Sequence, residues 1–422
     1  MGNKLLIKHA GELVTASGGV KSGQSMNRLG VIKDGAVTVE DGVITRVGTT
    51  DEVLSQIDVT DYRVIDAGGK CVLPGFIDSH THFVFGGYRM EEFYWRASGM
   101  HYMEIMKRGG GIASTVEATR KAGKEELKRL GIERLNSMLD MGVTTVEGKS
   151  GYGLDIETEI KQLEVMKELD EEHPVDIVPT FLGAHAVPAE YRENRQKYIE
   201  LLVERAIPEV GKRKLARFCD VFCEEGVFSV QESELILQTG KKWGMKPKLH
   251  ADEIANTGGA ELAARIGAVS ADHLLKVSDE GIDMMAENGV VAALLPITAF
   301  SLREPFARAR DIIDRGAAVA LATDMNPGSC YSNSIPLLFA LAVLYMNMTP
   351  EEAVTALTIN AAAAVDMDDK IGSIEAGKQG DIVIISGPSY RYIPYYIGVN
   401  TVETVVKKGK VVVNKKGGLQ CW

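Results

Sequence analysis

This sequence lacks the material for a disulfide framework. Its cysteines number five, an odd count with no repeated spacing. Cys219 and Cys223 share one apolar stretch, but no second pair completes a zinc knuckle. The pattern reads as free, buried thiols in a reducing compartment. Positive charge is also short: 47 Lys and Arg against 58 Asp and Glu leave a formal net charge of −11. So acidic a chain is ill suited to non-specific nucleic-acid binding, which depends on neutralising phosphates. No apolar run approaches the ~20 residues that span a bilayer. The opening MGNKLLIKHAGELVT has neither the apolar core nor the cleavage signature of an export signal. The expectation is a soluble, cytoplasmic protein with no nucleic-acid or membrane partner.

Apolar residues at 45% and charged residues at 25% of 422 positions describe an ordinary globular chain with a sizeable core. The first seventy or so residues read as short strands (LLIKHA, AVTVEDGVITRVG, RVIDAG), with Glu40-Asp41-Gly42 as a hairpin turn. The last fifty or so have the same character in DIVII, TVETVVKKG and KVVVN. Neither piece can bury a core alone; joined, residues 1–73 and 366–422 predict a small β-sandwich.

Between them, over 74–365, short apolar runs alternate with amphipathic helical stretches, which predicts β/α units and a parallel sheet. The candidate strands are Val72–His82, Val143–Lys149, Asp176–His185, Phe218–Glu224, Lys248–Asp252, Ala268–His273, Val290–Pro296 and Ala318–Asp324. Lys124–Met141, Asp155–Glu171, Ser233–Trp243 and Asp279–Glu287 read as barrel helices, as does the apolar Ile335–Met348, for which part of an interface is the alternative. The α/β class is thus a (β/α)8 TIM barrel with the small β-sandwich beside it, since such barrels run to about 250 residues. An open doubly wound sheet is the alternative, but no Gly-rich nucleotide fingerprint follows the first strand.

Of the eight histidines, only His9, His101 and His173 lie away from a predicted strand end. His82, Lys149, His185, the His250–Glu253 turn, His273 and Asp324 all close strands, and in a barrel those ends share the face where active sites form. His80 and His82 stand two apart on one strand and point the same way. Alone, His-x-His is a weak signal. With His250 and Asp324 it becomes a three-imidazole, one-carboxylate set for one divalent ion per chain. Zinc is the first expectation and iron the second, and manganese suits the same donors. An ion so held keeps net positive charge and lowers the pKa of its water towards ~7. Asn326, Gly328 and Ser329 follow Asp324 in a turn-rich loop that lets backbone and short polar groups approach a ligand.

PGFIDSHTHFVFGG, HADE from His250, ADHL from Ala271, ATDMNPGS around Asp324 and GSIEAGKQGDIVI near the end resemble the amidohydrolase superfamily over nearly the whole chain. EGKSGYGL from Glu147, Arg89 and FLGAHAVP resemble one branch of it more specifically. That resemblance implies hydrolytic opening of the cyclic amide of 4-imidazolone-5-propanoate to N-formimidoyl-L-glutamate, a step of histidine degradation. It also implies His80, His82, His250 and Asp324 as ligands. His273 would then sit beside the metal water, and Glu253 would contact the ring and pass a proton to the departing nitrogen. Asp324 is a further base, and division of the proton transfers among Asp324, Glu253 and His273 stays open. Arg89 would pair with the substrate's carboxylate tail, with Tyr152 and His185 contacting the substrate through hydroxyl and imidazole.

Binuclear relatives carry a carboxylated lysine. Here Lys149 lies on an early strand and lacks a second extra histidine, so a mononuclear site with a structural or electrostatic Lys149 is expected. Gly109-Gly110-Gly111 lacks the Walker lysine and serine and reads as a loop over the barrel mouth, acting as a lid. A homodimer is a further expectation from the resemblance. The rival activities are heterocycle deamination and a non-catalytic scaffold.

Overall fold

The computed structural model describes residues 4–100, 104, 108 and 110–415. The terminal strands form one branched eight-stranded sheet. β1 (Lys4–Val14), β2 (Val31–Glu40), β3 (Val43–Thr49), β4 (Arg63–Asp66) and β5 (Cys71–Pro74) come from the N-terminal segment. The C-terminal segment adds three more strands, and β5 is the seam between the two pieces. The β2–β3 turn is sharp because Asp41 and Gly42 both take positive φ, 48° and 88°, as a two-residue hairpin of this hand requires. β1 is long enough to pair with β2 on one side and with both β4 and β5 on the other. Leu5, Ile7, Leu13, Val37, Val39, Ile382 and Val406 pack into the core enclosed by the folded sheet, which gives the small sandwich.

The barrel strands are β6 (Phe76–Thr81), β7 (Val143–Lys149), β8 (Asp176–Ala184), β9 (Phe218–Cys223), β10 (Lys246–Ala251), β11 (Ser270–His273), β12 (Val291–Leu294) and β13 (Val319–Leu321). They are parallel and hydrogen-bonded in chain order. Thr81 bridges Met325, and Thr323 donates to Asp78 through N–H (2.9 Å) and hydroxyl (2.6 Å). These contacts bring the first and last strands together. The sandwich is completed by β14 (Ile382–Ile385), β15 (Val402–Lys407) and β16 (Lys410–Asn414). β14 pairs with β5, so the C-terminal segment returns to the N-terminal sheet.

Two boundaries differ from the sequence-based reading. The predicted strand Val72–His82 is two strands, β5 in the sandwich and β6 in the barrel, separated at Gly75. A Cβ there would stand 2.3 Å from the Thr144 hydroxyl, so only glycine passes at this crossing. The predicted strand Val290–Pro296 stops at Leu294, because Pro296 opens a helix, Pro296–Leu302, where its missing N–H costs nothing. Ile335–Tyr345 is a helix, with Ile335, Leu338, Phe339, Leu341 and Ala342 in the main barrel core.

Candidate active site

The ends of β6, β10 and β13 converge on one point. His80 Nε2 and His82 Nε2 each lie 3.6 Å from Asp324 Oδ1, and His250 Nε2 lies 3.5 Å from His82 Nε2. All four residues are buried, and His80 Nε2 has no hydrogen-bond partner. Buried acceptors facing one another are unfavourable unless a cation lies among them. Donors about 2.0–2.1 Å from a tetrahedral ion stand about 3.3–3.4 Å apart, close to the spacing seen. The residues therefore fit a divalent ion. Burial, then the Lys149 cation, pushes the His80 imidazole well below its usual range. Burial, then His185, does the same for His82, leaving both neutral, the ligating form. Asp324 takes a left-handed φ of 51°, a costly conformation for a non-glycine residue. Thr298, on the helix that Pro296 opens, donates to Asp324 Oδ2 at 2.7 Å, leaving Oδ1 turned to the imidazoles.

Beneath the donors lies a buried charge network that the sequence reading missed. His80 Nδ1 is 2.6 Å from Asp272 Oδ2, and His250 Nδ1 is 3.0 Å from Asp220 Oδ2. Such carboxylates fix the ring and raise its basicity. Lys149 Nζ donates to Glu147 and Asp220, each at 2.8 Å. Lys248 Nζ donates to Glu147 at 2.7 Å. Lys149 Nζ also lies 3.5 Å from Asp272 Oδ2, so two cations sit among three carboxylates in the barrel interior. Alternation would have found part of this: Glu147 with Lys149, and Lys248 with His250, are i, i+2 pairs sharing one face. Lys149→Met leaves Lys248 as the one lysine among these carboxylates and takes from Asp220 its 2.8 Å cation. We expect it to cost about 3–5 kcal/mol, read as a lower urea midpoint, and to weaken metal binding about 10–100-fold.

At the mouth, Glu253 Oε1 lies 3.6 Å from His273 Nδ1, and the His273 ring is 5.2 Å from that of His250. Burial, then the Asp324 charge, lifts the Glu253 carboxyl to about 8. Burial holds His273 well below its usual range, and its φ of 78° is again left-handed. His185 stacks on His82 at 5.1 Å. Its Nδ1 is 3.0 Å from the Gly151 carbonyl, which can only accept; Nδ1 therefore carries the proton and Nε2 is the acceptor. Burial, then His250, lowers His185 to about 3. Tyr152 is buried between His82 and His185, at 5.7 and 5.3 Å. Its loop is held by Glu159, which accepts from the N–H groups of Gly151 (2.9 Å), Gly153 and Leu154 (2.8 Å each).

Arg89 is gripped by Glu92 through Nε (2.8 Å) and Nη2. Its Nη1 lies so close to Gly328 that a Cβ there would come within 2.1 Å. Asn326 spends its side chain on its own loop, donating to the Asp324 carbonyl and Ser329 Oγ and accepting from the Gly328 and Ser329 N–H groups, all at 2.8 Å. Of the expected lid, Gly109 lies outside the described residues. Gly110 and Gly111 are buried, and the Gly111 N–H donates to Glu92 at 2.7 Å.

Residues 71–412 match the amidohydrolase family, and barrel and donor set together define a hydrolase with a divalent-metal site. Among solved structures, an adenosine deaminase from Xanthomonas campestris with bound zinc superposes with a TM-score of 0.72 at 19% identity, covering 99% of this chain and 94% of that one. A triazine hydrolase variant does so at 0.73 and 16%, covering 98% and 95%. At such identities the likeness concerns the fold alone. Imidazolonepropionases are much nearer: that of Clostridium tetani is 57% identical, covering 97% of this chain and 98% of its own. That of Parabacteroides distasonis is 56% identical, covering 97% and 99%. The chain belongs to the imidazolonepropionase family of amidohydrolases.

Proposed function

We propose that this protein hydrolyses the ring C–N bond of 4-imidazolone-5-propanoate to give N-formimidoyl-L-glutamate in histidine degradation. The observation that carries this reading is the placement of the Glu253 carboxyl and the His273 imidazole, 3.6 Å apart, beside four converging metal donors. A divalent ion on His80, His82, His250 and Asp324, which we propose to be zinc from its nitrogen-rich donor set, supplies Lewis-acid polarisation and acidifies water. Asp324 takes the proton of the attacking water. His273 offers an N–H to the oxygen that gains charge as water adds to the ring carbonyl carbon. Glu253 gives its proton to the ring nitrogen as the C–N bond breaks. His185 Nε2 accepts from a ring N–H, and Tyr152 flanks the ring. The loop of Asn326, Gly328 and Ser329 borders the tail.

Arg89 pairs with the propanoate. Glu92 holds its Nε and Nη2, and the Nη1 edge is set by the bare Gly328. Gly328→Ala displaces that guanidinium; a lost charge-assisted hydrogen bond is worth about 1.5–3 kcal/mol. The expected result in steady-state kinetics is a KM raised about 10–100-fold with kcat nearly unchanged.

The sandwich is proposed to comprise residues 1–73 and 366–422 about a 74–365 barrel, in a cytoplasmic homodimer. Leu344, Tyr345, Tyr395 and Ile397, all more than half exposed, offer an apolar surface for the second copy. Product analysis tests the reaction: formimidoyl-glutamate without ammonia is expected, whereas ammonia with an intact ring would establish the deaminase alternative.

A further inference from the structure

Glu224 ends the loop side of β9 with its side chain buried, 2% exposed, and none of the metal donors uses it. Its carboxylate is instead wrapped by backbone. Oε2 accepts from the N–H of Glu253 at 3.0 Å and of Ile254 at 2.8 Å, and Oε1 from the N–H of Ala255 at 3.1 Å. The Glu225 N–H adds a fourth bond to Oε1 at 2.9 Å. Three consecutive amides facing one oxygen pair make a concave anion nest, and bonds to an ionised acceptor are the stronger kind.

This is not helix capping. The next helix, Gly259–Ile266, begins four residues further on. Its first amides are taken by another carboxylate: Asp252 accepts from Gly259 N–H at 3.1 Å and Ala260 N–H at 3.0 Å. Residues 253–255 have neither helix nor strand to satisfy their amides. They follow Asp252, whose φ of 50° is left-handed. A turn entered through a costly conformation holds its shape only when its surroundings over-determine it, and at Glu253 those surroundings are the Glu224 carboxylate.

We infer that Glu224 is a positioning residue, whose carboxylate fixes the Glu253 turn so that the Glu253 carboxyl stands over the reacting ring. This rests on the proton-donor role proposed for Glu253. A shift of about 1 Å in a catalytic group costs up to about 100-fold in rate. Loss of the nest should therefore appear in kcat, leaving KM and metal content unchanged because neither Arg89 nor the donors move.

The test is a double-mutant cycle on the metal-loaded enzyme, with Glu224→Gln, Glu253→Gln and the pair. Kinetics are combined with metal analysis and thermal melting. Glu224→Gln keeps the volume but replaces one acceptor oxygen by a donor. We expect kcat reduced about 10–100-fold in the single variant and no further loss when Glu224→Gln is added to Glu253→Gln. Equal losses in both backgrounds, or an unchanged kcat for Glu224→Gln, would overturn the positioning role. A Glu253→Gln enzyme with undiminished kcat would instead overturn the proton-donor reading beneath it. Glu224→Asp, which shortens the reach by one methylene, serves if Glu224→Gln does not fold. Failure of both to fold would assign Glu224 to folding and overturn the inference.

Discussion

His80→Ala should lose metal and turnover together while the barrel stays folded. His80 contributes one of the convergent nitrogens, 3.6 Å from Asp324 Oδ1. Metal polarisation supplies several kcal/mol of transition-state stabilisation. At about 1.4 kcal/mol per tenfold, rates should fall by about 10³-fold or more. The alanine also strips Asp272 Oδ2 of its 2.6 Å imidazole partner, but Lys149 and Lys248 remain at 3.5 and 3.9 Å, so the carboxylate is not left isolated. Elemental analysis, a melting curve and the rate constant distinguish this outcome from unfolding. A folded, metal-free variant that still turns over would contradict the assignment. The same donor chemistry carries a pH dependence. Burial lifts the Asp324 carboxyl to about 6, so protons compete with the ion, and wild-type metal retention should weaken as pH falls below about 6.

Glu253→Gln should lower kcat by about 10²–10⁴, the range for a positioned general acid, while KM changes little. Glutamine keeps the size and a hydrogen bond but has no proton to give. Burial and Asp324 raise the Glu253 carboxyl to about 8. Below that pH the proton is present; as pH rises through it the donor is lost and the rate falls. A bound cation offsets the Asp324 charge, so the wild-type limb should lie at or below about 8. The sign is set by the protonated form being active, and the alkaline limb should be missing from the variant's profile. A variant with near-normal kcat and an intact limb would contradict the proton-donor role of Glu253.

The convergence of His80, His82, His250 and Asp324 was legible in the sequence because a β/α barrel gathers strand ends onto one face, so distance along the chain from His80 to Asp324 is no obstacle. Val143–Lys149 was read with its observed bounds for a related reason: a continuous apolar-flanked run is bracketed by Gly142 and Ser150. The seam at Gly75 was not legible. PGFIDSHTH continues the apolar character of CVLP, and only the proximity of Thr144 shows why the chain must turn from one sheet to the other. Likewise Pro296 closes an apolar run in the sequence, and only the fold shows it opening the helix that carries Thr298 to Asp324. Asp220, Asp272 and Glu224 were missed because each looks like an ordinary charge in or after a short strand. Their partners lie across the barrel interior or in a following loop, and closure of the barrel, not local pattern, brings them together. Arg89 was identified by resemblance, but its fit against Gly328 needed coordinates.

The most direct measurement is a titration of chelated enzyme with zinc, following turnover of 4-imidazolone-5-propanoate by the loss of the ring's ultraviolet absorbance. Activity absent at the start, rising linearly and levelling at one equivalent per chain is the predicted result. Full turnover by the metal-free protein, or a plateau only at two equivalents, would contradict a single catalytic ion on His80, His82, His250 and Asp324.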